Sequence, residues 1–194
     1  MSLSAEVRAV DPLAASPAAT SVESELVRAT LDGSARAFEE IVQLHGRRIF
    51  NYLNQMTRQA QDAEDLVQQT FVKAYQNLHR FDTSRPLVNW LFTIARRTAL
   101  NHFRAARRWE EMPEDTPCVL PTPAREAETN DQVENIWEQA RRRLSEKEFN
   151  VMWLRFGENL STAETARVAG LTQTHVKILV FRARKRLLER PPQS

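Results

Sequence analysis

The chain has 194 residues, enough for one ordinary domain or two small ones, and its 27 Lys and Arg nearly balance 25 Asp and Glu, leaving a formal charge of +2. With 4 Gly and 2 Tyr amid abundant Ala, Leu, Arg, Glu and Gln, the composition favours helices, and the single Cys118 excludes an internal disulfide framework and suits a reducing cytosol. No run approaches the roughly 18 apolar residues that a membrane-spanning helix requires, so a cytoplasmic chain without membrane insertion is expected.

Residues 1–22 are rich in Ala, Ser and Pro, and Glu6, Arg8 and Asp11 interrupt them, so they read as a disordered extension and not as a signal peptide. From Glu23 to Arg108 helical periodicity is nearly continuous. Leu26, Val27 and Leu31 mark a first helix closed by Gly33, and Ser34 can cap a second carrying Phe38, Ile41, Val42, Ile49, Leu53 and Met56 at threes and fours. A third helix runs from about Ala60 to His79, with Ala63, Leu66, Val67, Thr70, Phe71, Ala74, Tyr75 and Leu78. "FDTSRPL" then interrupts the pattern, since Ser84 and Arg85 before Pro86 suit a loop that ends at a helix start. A fourth helix continues from about Leu87 to Arg107, and the four together predict one all-helical domain over 23–108.

Residues 109–130 contain Pro113, Pro117, Pro121 and Pro123, a spacing no helix survives, with Glu110, Glu111, Glu114 and Asp115 near their start. An acidic linker is predicted there. Residues 131–190 form a second helical unit, followed by a tail at 191–194. Val133, Ile136, Trp137, Ala140 and Leu144 lie on one helix, and Ser145 to Glu148 and Ser161 to Glu164 are capping-box patterns that open two more. Gly170 ends the short helix begun at Ser161, and Thr172 begins a longer basic one. The expected fold is all-α: two small helical domains joined by a flexible linker, the second ending in a helix-turn-helix.

In that last helix Val176, Val180, Ala183 and Leu187 fall on one stripe, with Leu179 at its edge, and the stripe is expected to meet Ala166 and Val168 or Ala169. The opposite side presents Lys177, Ile178, Phe181, Arg182, Arg184 and Lys185. Cations there would neutralise phosphates, and Ile178 and Phe181 are suited to thymine methyls in a major groove; burial of both against the domain is the competing reading. A membrane-surface helix would need a broader apolar face. The fourth helix carries Arg96, Arg97, Arg104, Arg107 and Arg108 with no acid between the first and last, a second basic strip that points to nucleic acid when taken with the first. The third helix crowds Asp62, Glu64, Asp65, Gln68 and Gln69 into its first turns. The helix dipole explains the acids locally, and the extended polar face fits a protein partner bearing Arg. His45, His79, His102 and His175 are scattered without metal-ligand spacing and no phosphate-binding glycine loop occurs, so neither an enzyme nor a metal or other cofactor is expected.

"DAEDLVQQTFVKAYQNLHRF" (Asp62 to Phe81), "NWLFTIARRTALNHFR" (Asn89 to Arg104) and "LSEKEFNVMWLRFGENLSTAETARVAGLTQTHVKILVFRARKRL" together resemble the two domains of an extracytoplasmic-function RNA polymerase sigma factor, of the sigma-70 superfamily. The resemblance covers residues 23–108 and 131–190. It implies an initiation factor that binds core RNA polymerase, through its beta and beta-prime subunits, and directs it to promoter DNA. By the same resemblance, Asp62, Asp65, Leu66, Gln68, Gln69 and Phe71 would dock on the polymerase. Phe81, Asp82, Ser84, Arg85, Arg96, Asn101, Arg104, Arg107 and Arg108 would capture and flank a flipped base of the minus-ten element. Thr174, His175, Lys177, Ile178, Phe181, Arg182 and Lys185 would read the minus-thirty-five element. The linker would follow the RNA-exit path, and an anti-sigma factor would hold both domains.

The chain departs from the family pattern where relatives often carry Asn at Arg97, Gly-Thr at Thr174-His175 and Ser-Arg at Ile178-Leu179, and the lost Arg predicts weaker phosphate anchoring or a shifted target sequence. Trp90 is a core candidate that also has the shape to stack on an unpaired base. Two alternatives stay open at this level: a sigma-like mimic that binds an anti-sigma factor without DNA, and a conventional helix-turn-helix regulator that dimerises on duplex sites.

Overall fold

A computed structural model describes residues 17–110 and 131–189, with side chains from 22 to 105 and from 136 to 189. Among these residues all regular structure is helical: α1 (Pro17–Leu31), α2 (Ala35–Thr57), α3 (Ala60–Asn77), a 3₁₀ turn (Leu78–Arg80), α4 (Leu87–Glu110), α5 (Asp131–Arg143), α6 (Glu146–Met152), a π-turn (Trp153–Gly157), α7 (Thr162–Ala169) and α8 (Gln173–Leu188).

Two boundaries move. α1 starts at Pro17, inside the stretch expected to be disordered, because proline at a first helical position gives up no needed N–H and Ala18 and Ala19 propagate the helix well. α4 extends to Glu110 because nothing before Pro113 opposes it, so Trp109 and Glu110 belong to the helix and not to the linker. The remaining linker, with Cys118, and the tail from Arg190 lie outside the described residues, as do residues 1–16.

Local chemistry sets the helix ends. The Ser34 hydroxyl accepts the Ala37 N–H at 3.3 Å. Ser145 and Ser161 form complete capping boxes with Glu148 and Glu164, and each serine cap contributes about 1 kcal/mol. Gly170 closes α7 in the left-handed region (φ 64°), a conformation that a residue with a Cβ adopts only at a cost.

The first domain packs α2, α3 and α4 around Ile41, Ile49, Tyr52, Leu53, Leu66, Phe71, Leu91 and Phe92, all buried. In the second, Trp137, Phe149 and Trp153 form an aromatic cluster, with Trp137 and Trp153 centroids 4.8 Å apart. The two domains do not merely hang on a linker. α4 lies against α7, and Leu154, Ala166, Val168 and Ala169 join the core cluster that contains Leu91, Phe92 and Ala95. Polar contacts rim this joint: Arg48 Nε donates to Glu158 Oε2 at 3.0 Å, Asn89 Nδ2 to Glu164 Oε1 at 2.7 Å, the Tyr52 hydroxyl to Asn150 Oδ1 at 3.3 Å, and Arg141 Nη1 to the Gln55 carbonyl at 2.7 Å.

Candidate polymerase and nucleic-acid interfaces

On α3 the helical period separates two faces. Ala63, Leu66, Thr70, Phe71 and Ala74 point into the core, whereas Asp65, Gln68, Gln69, Val72, Tyr75 and Gln76 are exposed on the other side. This corrects the predicted docking set: Leu66 (1% exposed) and Phe71 (5%) are core residues and offer no surface to a partner. Asp62 is half-buried, its carboxylate 3.9 Å from His102 Nε2 of α4. The sequence reading missed Val72 and Tyr75, which are 56% and 51% exposed. Their signal was an apolar pair falling outside the 63–66–70–74 register, on the arc of Gln68 and Gln69. An outward face of amides, the acids Glu64 and Asp65, and two exposed apolar groups suits a protein partner.

The loop between the 3₁₀ turn and α4 is organised by Asp82. Its Oδ1 accepts the Ser84 N–H at 3.1 Å and the Ser84 hydroxyl at 2.6 Å, while its Oδ2 meets Arg85 Nε at 3.0 Å. The Ser84 bonds, hydroxyl first and backbone second, with Arg85 contributing less, hold the Asp82 carboxyl below its usual range. The loop is thereby pre-shaped before it meets a ligand. Behind it Phe81 and Trp90 lie 5.3 Å apart at 45° and wall a cavity of about 310 Å³ together with Arg80, Asp82, Arg85, Asn89 and Thr93. Trp90 is half-buried: it packs on the core and also lines this cavity. The volume accommodates an unstacked base, and aromatic walls supply stacking.

The basic strip of α4 divides. Arg104 is exposed and donates through Nη1 to Asn101 Oδ1 at 3.3 Å. Arg96 is half-buried at the domain joint, where its Nε finds no hydrogen-bond partner among the described residues. A Cβ added at Gly170 of the second domain would lie 3.6 Å from Arg96 Nη1. Arg107 and Arg108 are on the α4 backbone, and their side chains fall outside the described residues.

In α8, Thr174, His175, Lys177, Ile178, Phe181, Arg182 and Lys185 are all exposed. Thr172 caps the helix by accepting the His175 N–H at 3.2 Å. Ile178 is 43% and Phe181 69% exposed, so neither is buried against the domain. The seam runs through Val176, Leu179 and Ala183, with Val180 and Leu187 only partly buried. Leu179 therefore moves from the edge of the predicted stripe to its centre. It is a packing residue in this chain. Arg186 is half-exposed, and its guanidinium bonds to Glu148 Oε2 at 2.5 Å. Arg184 lies over the Phe156 ring, 5.1 Å from its centroid. Among the described residues no helix is long and apolar enough to cross a membrane, and no group of three or more acids, His or Cys is placed to hold a metal.

Comparison with known proteins agrees with this division into two units. Residues 41–109 match the family model for Sigma-70 region 2, and residues 142–189 the model for Sigma-70 region 4. The ECF RNA polymerase sigma factor BldN of Streptomyces coelicolor is 31% identical over 176 residues, covering 88% of this chain and 66% of BldN, just under two thirds of the longer protein. The ECF RNA polymerase sigma factor SigM of Bacillus subtilis is 25% identical, covering 77% of this chain and 91% of SigM. Among solved structures, CnrH in complex with the cytosolic domain of CnrY superposes with a TM-score of 0.59 at 26% identity, covering 87% of this chain and 93% of CnrH. The sigma factor RpoE in complex with the anti-sigma factor NepR, from Bartonella quintana, gives a TM-score of 0.62 at 25% identity, covering 79% of this chain and 95% of RpoE. With both sigma-70 regions in order on one helical chain, the protein belongs to the extracytoplasmic-function sigma factors of the sigma-70 family.

Proposed function

We propose that this chain binds core RNA polymerase and directs it to promoters, reading a minus-ten element with the first domain and a minus-thirty-five element with the second. The observation that carries the reading is the separation of faces. Each family domain keeps an intact core and still exposes the side chains suited to its ligand: Asp65, Gln68 and Gln69 toward polymerase, and Lys177, Ile178, Phe181 and Arg182 toward duplex DNA.

The chemistry follows from the side chains. Phosphate contacts from Lys177, Arg182 and Lys185 would orient α8 on the duplex, and the exposed Ile178 and Phe181 would meet base edges, thymine methyls above all. The Phe81–Trp90 cavity would receive one base of the melted strand, with Arg85, Arg104, Arg107 and Arg108 beside the backbone. Unstacking costs a few kcal/mol, which polymerase contacts and these cations together must offset. An anti-sigma partner is part of the proposal, since CnrH and RpoE are each solved with a protein partner, and NepR is named as an anti-sigma factor. Cytoplasmic residence follows from the same role, and the chain acts as a subunit, not as an enzyme.

Run-off transcription with purified core polymerase tests the reading. The expected result is a transcript from a cognate promoter that core polymerase alone does not make. A mimic would give none, and a conventional regulator would bind duplex DNA without polymerase.

A further inference from the structure

A second cavity, of about 590 Å³, opens between the domains further along α4 than the Phe81–Trp90 cavity. The end of α2 and the middle of α4 form one wall, and α5 with the start of α6 forms the other. Its floor is apolar, where Met56, Leu100 and Phe103 of the first domain meet Leu144 and Phe149 of the second. Around this floor stand five cations, Arg58, Arg96, Arg104, Arg141 and Lys147, against a single acid, Glu146. Among the described residues none of the five is ion-paired. Burial first, and then the like charge of Arg58, push the Arg141 guanidinium below its usual value. Arg96 Nε is a buried donor with no acceptor among the described residues. Arg58 adds a backbone cost, since it caps α2 in the left-handed region (φ 63°) that favours glycine. A cleft lined by charges of one sign draws in a counter-ion.

Three features fix what kind of anion fits. Cations converge from both walls, which suits a multiply charged phosphate chain better than a single carboxylate. The Arg141 guanidinium lies over the Phe149 ring, 4.5 Å from its centroid, and guanidinium planes and rings such as Phe103 take a planar base by stacking. Finally, the Arg141 bond to the Gln55 carbonyl (2.7 Å) and the Tyr52 bond to Asn150 (3.3 Å) tie the two walls together. The space they bound is of the size usual for a small-molecule site, and a continuous strand would have to pass these ties. We propose that this cleft binds a nucleotide bearing two or more phosphates, with Arg58, Arg141 and Lys147 on the phosphates and the base on the floor of Met56, Leu100 and Phe103. The site is independent of the promoter reading, in which none of those three cations takes part. Because the nucleotide touches both domains, its binding stabilises their joint by mass action.

Calorimetric titration of the full chain with ADP, GDP, inorganic pyrophosphate and adenosine tests the site. At least one of the two nucleotides should bind, once per chain. It should bind about ten-fold tighter than pyrophosphate or adenosine, because it alone engages both the cations and the floor. At saturation it should raise the thermal unfolding midpoint. Arg58→Ala and Lys147→Ala, one exposed cation on each wall, should each weaken the nucleotide by about ten-fold and leave the unliganded midpoint unchanged. Arg36→Ala, an exposed cation outside the cleft, should leave nucleotide affinity as it is. Absence of binding by both nucleotides overturns the proposal, and so does nucleotide affinity equal in wild type, Arg58→Ala and Lys147→Ala. Pyrophosphate binding as tightly as the nucleotide overturns the ligand class. Displacement of the nucleotide by a single-stranded oligonucleotide whose own binding is lost in Arg58→Ala and Lys147→Ala assigns the cleft to nucleic acid, and also overturns it. Should either variant lose its fold, the comparison of nucleotide, pyrophosphate and adenosine on the wild-type chain still decides.

Discussion

Glu148 is an acid with a 4% exposed side chain, and its Oε2 receives the Ser145 N–H at 3.0 Å, the Ser145 hydroxyl at 2.8 Å and Arg186 at 2.5 Å. Burial would push its carboxyl up, but the Ser145 backbone and hydroxyl, with Arg186 and Arg182 beyond them, hold it below the usual range. Glu148→Ala strands Arg186 and opens the cap, so we expect a loss of about 2–3 kcal/mol in urea unfolding, and about 1 kcal/mol for Glu148→Gln, which keeps the capping geometry. Because the folded carboxyl is the stronger acid, its stabilisation is complete above the ordinary glutamate value. It is lost as pH falls through the folded one; a titration of unfolding midpoint for wild type against Glu148→Gln should converge at acid pH. Glu158 has the opposite sign: burial raises its carboxyl, outweighing Arg48, so its contribution favours acid and fades as pH rises through the raised value. At this scale the sequence was partly legible. The capping boxes at Ser145 and Ser161, and the apolar period that includes Leu66 and Phe71, were readable from spacing alone; that Leu66, Phe71 and Leu179 serve the core and not a binding face was not. Each sits within one helical step of a functional face, and only the packing partner fixes which side of the boundary it takes.

Among elements, α3 and α8 show why pattern outran assignment. Both were visible as helices, since apolar residues recur at threes and fours, but each must present a core stripe and a binding stripe together. On α3 the correction has a measurable consequence. Leu66→Ala should cost about 2–5 kcal/mol of folding stability, through the transfer and cavity terms of a fully buried side chain. Gln69→Ala with Val72→Asp should leave the unfolding midpoint within about 0.5 kcal/mol of wild type, as exposed substitutions do, and weaken core-polymerase binding, read by competition against an unlabelled wild-type chain. On α8, Phe181 (69% exposed) and Leu188 (86%) are both on the surface, so neither Ala variant should unfold the domain. Phe181→Ala should reduce minus-thirty-five-dependent holoenzyme binding by about ten-fold, on the scale of one base-edge contact, and Leu188→Ala should leave it unchanged. Footprinting of the two holoenzymes on one promoter measures this. Equal losses would mean that α8 is turned differently on the groove.

For the whole molecule, the two-domain plan was legible because the prolines from Pro113 to Pro123 interrupt two long periodic stretches. What could not be read was that the domains share a core. α7 carries Ala166, Val168 and Ala169, small apolar groups that serve a helix-turn-helix seam and an α4 contact equally well, so sequence gives no sign that one side faces another domain. The contacts Arg48–Glu158 and Tyr52–Asn150 join residues 110 and 98 positions apart, a separation that no local pattern encodes. Interfaces within a chain of this partly polar kind open and close more readily than a single-domain core. The central claim remains that this chain gives core polymerase promoter specificity. It is tested most directly by run-off transcription on a genomic library of promoter fragments, with core polymerase alone and with the chain added. The account predicts a small set of chain-dependent start sites sharing upstream and minus-ten elements, lost together when Arg104 and Arg182 are replaced by Ala. Start sites unchanged by the chain, or a chain that binds those fragments tightly with no polymerase present, would contradict it.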